Sequence, residues 1–263
     1  MERILLLKKI KTAITMLMSD RAALYNKLGI GRESGSQKYS FLLDYTVNRY
    51  WKNSGLEKLF SEKDTESADF KLFITNHKKH DVVNLHRKIV VNQCKSVIEF
   101  GCGISTVVMA HAMLKNNEKY NIKGKIYSVE AHPKWADIVR EKLIEVGLDD
   151  YTEVTSSKVR LSKLGGQTCH FFDKLPDVRP DLMYLDGPAP KDVEGNSNGV
   201  TMNGLHFVVA ADPLLYEYSF YPGFQMVVDG RYNNVEFLKN NFKRKYRIKR
   251  DFVRNITTFS LKK

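Results

Sequence analysis

From residue 96 onward, short apolar segments alternate with amphipathic ones, and this alternation restricts the fold more than any other feature. The apolar segments Ser96–Phe100, Lys125–Glu130 and Gln225–Asp229 have the length of buried strands. Segments with helical periodicity follow each of them. Strands that alternate with helices form a mostly parallel sheet with helices on both faces. We therefore expect a doubly wound α/β fold.

The same patterns give approximate bounds for the other elements. Predicted strands cover 96–100, 125–130, 151–155, 181–185 and 225–229, and predicted helices cover 78–93, 104–114, 133–146, 203–217 and 235–241. Two last segments, 245–253 and 255–261, are too close together for a helical crossover, so they should pair antiparallel. Apolar residues at helical spacing between Ile4 and Leu24 predict a helical N-terminal region, residues 1–77, that packs on the domain of residues 78–263 or on a second subunit.

Charge is distributed unevenly along the 263 residues. The formal net charge is +12, but residues 96–230 carry 13 basic and 18 acidic side chains, whereas residues 231–263 carry 11 basic and 2 acidic ones. A basic balance is typical of proteins that meet nucleic acid, anionic surfaces or acidic substrates. Here the argument applies to the two ends of the chain and not to its centre.

Cysteine usage and hydropathy exclude several classes of protein. Cys94, Cys102 and Cys169 show no CxxC spacing, which disfavours a structural zinc site or a disulfide framework and fits a reducing, cytoplasmic setting. No apolar run approaches the roughly 18 residues of a membrane span. Lysines at positions 8, 9 and 11 interrupt the apolar centre that a signal peptide would need.

A glycine loop joins the first predicted strand to its helix, with the sequence EFGCGIST from Glu99 to Thr106. Glycines let the backbone turn sharply and approach a ligand, and the helix start offers unpaired N–H groups. The third glycine of the dinucleotide pattern GxGxxG is replaced by Thr106. The carboxylate of Glu99 would repel a pyrophosphate but suits a ligand that carries an ammonium group.

This loop resembles the first motif of class I S-adenosyl-L-methionine (SAM)-dependent methyltransferases, which have a Rossmann-like fold. Glu130, at the end of the next strand, matches the acidic residue that binds the ribose in that family, and Asp186-Gly187-Pro188 stands where the family places methyl transfer. The antiparallel final strands are also a family feature. The resemblance covers residues 80–263 and implies that SAM is the cofactor.

The resemblance also implies a set of cofactor contacts. Glu99 would hold the amino group of SAM, directly or through water, and Ser105 or Thr106 would bind its carboxylate. The backbone from Gly101 through Cys102 to Gly103 would lie along the methionine part. Glu130 would bind the ribose. The residues expected to border the adenosine are His132, Trp135, Ser156, Ser157 and, at the methyl-transfer end, Asp186.

The acceptor is constrained mainly by exclusions. The chain has neither the Asn/Asp-Pro-Pro-aromatic loop of exocyclic-amine methyltransferases nor a cysteine beside proline for cytosine-C5 methylation. The ends of the fourth and fifth strands resemble those of small-molecule and sugar O-methyltransferases, which implies a hydroxyl of a small molecule or glycan as acceptor, with Asp186, Lys191 or His206 as candidate bases. The polar segment Ala189–Met202 is expected to border the acceptor pocket.

Two questions stay open in the sequence. Asp186 and Asp229 end neighbouring strands and could hold Mg²⁺, although Asp229 could instead cap a helix or pair with Arg231. The segment Lys243–Arg250, with the sequence KRKYRIKR, could protect an edge strand or recruit an anionic partner. The alternatives are therefore an RNA methyltransferase that uses its basic ends and a SAM-binding protein without catalysis.

Overall fold

The computed structural model describes residues 41–60, 76–197, 199–202, 209–252 and 254–262. The chain divides into two units, Met1–Arg49 and Tyr50–Lys263, and the division falls inside helix α1, Phe41–Asn53. The helix expected between Ile4 and Leu24 lies outside the described residues, and the boundary expected after residue 77 stays a prediction.

Strands and helices alternate along most of the larger unit. In chain order, the strands are β1 Ser96–Phe100, β2 Lys125–Glu130, β3 Thr152–Ser156, β4 Val159–Leu164, β5 Gln167–Phe172, β6 Leu182–Leu185, β7 Val193–Glu194, β8 Gln225–Asp229, β9 Tyr246–Asp251 and β10 Ile256–Leu261. The helices after α1 are α2 Asn76–Val91, α3 Ile104–Tyr120, α4 Pro133–Glu145, α5 Asp212–Leu215 and α6 Tyr232–Asn241.

Seven strands form one sheet in the order β3-β2-β1-β6-β8-β10-β9. All neighbours are parallel up to β8, and β10 is antiparallel to both β8 and β9. This confirms the predicted Rossmann-like, mostly parallel sheet with an antiparallel C-terminal pair. The carboxyl ends of β1, β2, β6 and β8 lie at one edge, which we call the carboxyl edge; ligands of such sheets bind there.

Both faces of the sheet are buried at its central strands, because alternate side chains of these strands enter different apolar layers. Val97, Leu182 and Val227 pack with α2 and α3, whereas Ile98 and Met183 pack in the opposite layer with α6. Glu99 has the same parity as Val97, so its side chain faces the start of α3. The α/β pattern thus places one carboxylate inside an apolar layer.

The helix predicted over 203–217 is confirmed only for its last residues. Residues 203–208 lie outside the described residues, and Ala210 forms a parallel bridge with His170: the His170 N–H donates to the Val209 carbonyl at 2.9 Å, and the Ala211 N–H donates to the His170 carbonyl at 3.1 Å. Helix α5 begins only at Asp212. Pro213 lacks an N–H and is accommodated in the first turn of a helix but not in its interior.

A second, three-stranded sheet, β5-β4-β7, is absent from the prediction. Strands β4 and β5 form an antiparallel hairpin around Gly165 and Gly166, which have φ of 55° and 82°. Two consecutive residues with positive φ are typical of a type I′ hairpin turn. The Gly-Gly pair between two six-residue polar–apolar segments was therefore a readable signal.

Two further observations concern the chemistry of the whole chain. Cys94, Cys102 and Cys169 are all free thiols. Among the helices in the described ranges, none combines the length and the apolar character that a membrane crossing requires.

Candidate active site

The loop after β1 touches the loop after β6 backbone to backbone. Gly101 has φ of 89°, and a Cβ on it would lie 2.8 Å from the Gly187 Cα and N atoms. A Cβ on Gly187 would lie 2.6 Å from the Gly101 Cα. The Gly187 N–H donates to the Phe100 carbonyl at 2.6 Å. Only two glycines permit this contact, which joins the two loops predicted to bind cofactor and acceptor.

Glu99 is completely buried and accepts three hydroxyl hydrogen bonds. Ser105 Oγ donates to Oε1 at 2.5 Å, Thr106 Oγ1 donates to Oε2 at 2.5 Å, and Ser128 Oγ donates to Oε2 at 2.7 Å. Burial raises the pKa of Glu99 to about 7, although the three hydroxyls oppose the shift and Asp186 adds to it. The carboxylate thus fixes the first turn of α3 to β1 and β2.

Ser105 and Thr106 therefore face inward in this structure. Thr106 is fully buried, and its hydroxyl also accepts a hydrogen bond from the Gly103 N–H at 2.9 Å. Both hydroxyls lie between Glu99 and the glycine loop, so they shape the loop. Their predicted contact with the SAM carboxylate stays a prediction, and the Ser105 hydroxyl, like Thr106, is already engaged with Glu99.

Glu130 ends β2 beside the same loop. Its Oε2 accepts a hydrogen bond from the Cys102 N–H at 2.8 Å, and its Oε1 accepts one from the His132 N–H at 2.8 Å. An ionised carboxylate offers about four acceptor positions, so roughly two are left for a ligand. The side chain is 7% exposed, which places it at the inner rim of the carboxyl edge.

The other residues predicted to border the adenosine lie around Glu130. His132 and Trp135 are half-buried at the start of α4, Ser156 ends β3, the strand next to β2, and Ser157 follows it directly. The Ser157 N–H donates to the Glu130 carbonyl at 2.9 Å, and its Oγ accepts from the Lys174 N–H at 2.8 Å. The fold brings these positions together at the ends of β2 and β3, and their contacts with a cofactor stay predictions.

Asp186 and Asp229 end β6 and β8, and a guanidinium lies next to both. Arg231 Nη2 donates to the carbonyl of Asp186 and, at 3.1 Å, to that of Pro188. Burial lowers the pKa of Arg231, whereas the charges of Asp186 and Asp229 raise it. Tyr184 Oη donates to Asp229 Oδ2 at 3.4 Å. The two carboxylates therefore already balance a partly buried cation.

This arrangement does not support the Mg²⁺ site predicted at Asp186 and Asp229. A divalent ion bound there would meet the positive charge of Arg231, and Ca²⁺ or Mg²⁺ sites need several oxygen ligands. Within the described part of the chain, no three His, Cys, Asp or Glu side chains form a group that could hold a metal ion. The sequence reasoning gave weight to the carboxylates and too little to the arginine two positions later.

His170 lies in β5 close to Arg231 and is completely buried. Neither of its ring nitrogens has a hydrogen-bond partner in the part of the chain that the structure describes. Burial, with a smaller contribution from Arg231, lowers its pKa to about 3, so the imidazole is neutral. Unsatisfied buried polar groups are costly and call for an explanation. Sequence analysis did not single out His170, because the hairpin that carries it was missed.

The strand opposite His170 is braced by another buried polar side chain. Asn234 Oδ1 accepts a hydrogen bond from the Ala210 N–H at 2.8 Å, and its Nδ2 donates to the Ala210 carbonyl at 3.0 Å. Ala210 pairs with His170, and Asn234 is in α6, one turn after Arg231. The β5 hairpin is thereby fixed to the helix that follows β8.

The remaining candidate bases are less well placed. Lys191 is exposed in a short 3₁₀ turn, Pro190–Asp192, and makes no hydrogen bond or ion pair with the described residues. His206 lies outside the described residues. A surface cavity of about 510 Å³ opens between β4 and Asn196–Ser197, within the segment expected to border the acceptor pocket.

Comparison with known proteins identifies the class of this site. Residues 98–197 match a family model described as a methyltransferase domain. The matched stretch runs from β1 through β7, so it contains the glycine loop, Glu130 and Asp186. Over these residues the chain is similar to a methyltransferase domain, in agreement with the resemblance seen in its motifs. No curated protein sequence matches the chain.

Solved structures agree with the fold at low sequence identity. The SAH-bound methyltransferase PaMTH1 of Podospora anserina is 14% identical, with a TM-score of 0.50, and the alignment covers 88% of this chain and 100% of that one. A putative O-methyltransferase of Klebsiella pneumoniae is 15% identical, with a TM-score of 0.44 and coverage of 92% and 97%. At such identities the likeness concerns the fold.

Proposed function

We propose that this protein transfers the methyl group of SAM to a hydroxyl oxygen of a small-molecule or glycan acceptor. The observation that carries the proposal is the contact between Gly101 and Gly187, with Glu130 beside it. It brings the glycine loop of the cofactor motif against the loop that begins at Asp186, directly after β6. Methyl transfer needs this proximity of donor and acceptor.

The residues of the glycine loop fit SAM. SAM supplies an electrophilic methyl group on a sulfonium sulfur, and transfer to a hydroxyl leaves S-adenosylhomocysteine and releases the hydroxyl proton. The left-handed backbone at Gly101 leaves room for close approach of a ligand. Glu130 has acceptor positions left for ribose hydroxyls. The Podospora neighbour, which shares the fold, was solved with SAH bound.

In this proposal, Glu99 does not contact SAM directly. Its carboxylate is covered by the hydroxyls of Ser105, Thr106 and Ser128, so an ammonium group would meet those hydroxyls or a bridging water first. The negative charge that forms above the pKa of about 7 would still attract a cationic ligand from within the layer. Glu99 is therefore assigned to orienting the loop and to electrostatics.

On the acceptor side, the proposal assigns roles to Asp186, Arg231 and His170. Asp186 is the candidate base that receives the hydroxyl proton, and the neighbouring Arg231 charge stabilises the oxygen as it loses that proton. The neutral His170 ring would accept or donate one hydrogen bond to the acceptor or to a water beside it. Lys191 and His206 stay secondary candidates for the base.

A methyl-transfer assay with isotopically labelled SAM tests the proposal. The acceptor panel should contain a catechol, simple glycosides, phosphorylated sugars and a nucleotide sugar, with a short RNA as the competing class. We expect label in at least one hydroxyl compound and none in the RNA. Label in RNA, or SAM binding without transfer to any acceptor, would contradict the proposed chemistry.

A further inference from the structure

An arginine that contacts two exposed aromatic rings lies near the candidate site. Asp251, at the end of β9, is in register with Ile256 of β10, which is in register with Asp229 of β8. The end of β9 therefore reaches the carboxyl edge, about 10 Å from the β8 strand at two strand spacings. Arg250 lies just before this end.

The rings that hold Arg250 come from two different elements. Its Cζ atom lies 5.1 Å from the centre of the Tyr232 ring, at the start of α6, and 4.9 Å from the centre of the Phe252 ring. Tyr232 is 53% exposed and Phe252 is 67% exposed. Cation–π contacts with two rings restrict the position of a guanidinium, and they use none of its N–H donors. We call these three side chains the arginine clamp.

Two nearby arginines have their guanidinium groups engaged, whereas Arg250 has no such partner among the described residues. Arg254 Nη1 pairs with Asp251 at 2.6 Å, and Arg244 Nη1 donates to the Glu217 and Phe220 carbonyls. The structure shows no hydrogen bond or ion pair from Arg250 to any described residue. Its five N–H donors are therefore oriented, charged and unused.

We propose that the arginine clamp is the subsite for an anionic group, most simply a phosphate, carried by the methyl acceptor. A guanidinium binds phosphate through two parallel hydrogen bonds, and prior ordering lowers the entropic cost of binding. The inference rests on the proposed function for the identity of the ligand. It implies an acceptor whose phosphate lies on the order of 10 Å from the reacting hydroxyl, as in a nucleotide-linked or phosphorylated sugar.

The test is a chemical-shift titration of the ¹⁵N-labelled full chain with sodium pyrophosphate, followed at the backbone amides of residues 250, 252 and 254. We expect saturable binding with a Kd on the order of 1 mM. Arg250→Ala should weaken it about tenfold, and Arg250→Lys should restore only part of the loss. Phe252→Leu, which removes one ring, should weaken it less.

Arg247→Ala is the matched control, because Arg247 is exposed on the same strand but on its other face, outside the clamp. It should change the Kd by less than about twofold. Equal weakening by Arg247→Ala and Arg250→Ala would overturn the subsite, because it would show diffuse attraction. Tighter, strongly salt-dependent binding of a uridine oligonucleotide that needs both arginines would overturn it in favour of a nucleic-acid surface.

Acceptor kinetics separate this inference from the proposed function. In the acceptor panel, the wild type should prefer phosphorylated over unphosphorylated sugars, and Arg250→Ala should lose that preference through KM with kcat unchanged. Calorimetric SAM binding should be the same in wild type and Arg250→Ala. Failure of the wild type to bind SAM would refute the proposed function, whereas pyrophosphate binding that ignores Arg250 would refute the clamp alone.

Discussion

The two halves of the carboxyl edge satisfy their polar groups in different ways. In the half formed by β1 and β2, Glu99 and Glu130 together accept five hydrogen bonds, from two loops, the first turn of α3 and strand β2, all close in sequence. In the half formed by β6 and β8, Arg231 donates to the Asp186 carbonyl, and the ring nitrogens of the nearby His170 have no hydrogen-bond partner among the described residues. The first half is preorganised by its own hydrogen bonds, whereas the second has polar groups that the proposed function assigns to the acceptor.

The largest expected effect concerns the contact that joins the halves. Gly101→Ala should destabilise the protein by about 2–4 kcal/mol and abolish SAM binding, because the new Cβ would overlap the Gly187 backbone. Gly165→Ala is the control, since its φ is also positive but nothing lies within 4 Å, and it should cost only about 1 kcal/mol. Urea denaturation and SAM calorimetry measure both; equal costs would show that the contact is unimportant.

The next prediction concerns the preorganised half and pH. The pKa of Glu99 rises from 4.5 to about 7 on folding, so the folded state binds a proton more tightly than the unfolded chain. Stability from this group is therefore full below about pH 4.5 and is lost as the pH rises to about 7, by at most about 3 kcal/mol. Glu99→Gln should remove this pH dependence.

Urea denaturation between pH 4.5 and 8 compares the free energies of unfolding of wild type and Glu99→Gln. Asp212, whose pKa burial raises to about 7, contributes a slope of the same sign to both proteins, so only the difference between them reports on Glu99. Identical slopes would mean that Glu99 is ionised throughout this range.

Substitution of His170, near the half formed by β6 and β8, should lower activity without lowering stability. His170→Leu should lower kcat/KM by about 100-fold if the proposed hydrogen bond from His170 to the acceptor forms, because the leucine cannot make it. Its stability should stay the same or rise by about 1 kcal/mol, since two unpaired buried nitrogens disappear. Chemical denaturation and the transfer assay check both quantities.

His86→Leu is the matched control for this substitution. His86 is also a buried histidine, but Tyr50 Oη lies 2.8 Å from its Nδ1, and His111 Nδ1 lies 3.0 Å from its Nε2. Its loss should cost about 1–3 kcal/mol and leave kcat/KM unchanged. If His170→Leu behaved in this way instead, His170 would be a structural residue.

The smallest expected effect is on removal of divalent metal. Because the Arg231 charge lies beside Asp186 and Asp229, transfer should proceed at the same rate within about twofold in EDTA. The assay compares EDTA-treated enzyme with and without added Mg²⁺. A loss of activity that Mg²⁺ restores would reinstate the two carboxylates as a metal site.

The same contrast explains which parts could be predicted from the sequence. Strands β1, β2 and β8 were predicted with their observed bounds, and Glu130 was placed at the end of β2, because each follows from a local pattern. His170 and Arg231 approach each other through the β5 hairpin and the bridge between His170 and Ala210. Long-range pairing of this kind leaves no periodicity in the sequence, although Gly165-Gly166 did mark the hairpin.

The basic segment Lys243–Arg250 shows the same limit of prediction from sequence. Its alternation predicted an edge strand with charged side chains, which β9 is, and two readings of those charges stayed open. Only the tertiary structure distinguishes the two arginines. Arg244 donates hydrogen bonds to backbone carbonyls, whereas Arg250 makes cation–π contacts with the Tyr232 and Phe252 rings. Residues six apart in one basic run therefore have different functions in this account.

The most direct test of the account is calorimetric titration of SAM into wild type, Glu130→Ala and Glu153→Ala. Glu153 is the control, an exposed glutamate on the strand next to Glu130. The account predicts a Kd on the order of 10 µM for wild type and Glu153→Ala, and at least about tenfold weaker binding for Glu130→Ala. No binding by the wild type at high micromolar SAM, or equal affinity in all three proteins, would contradict it.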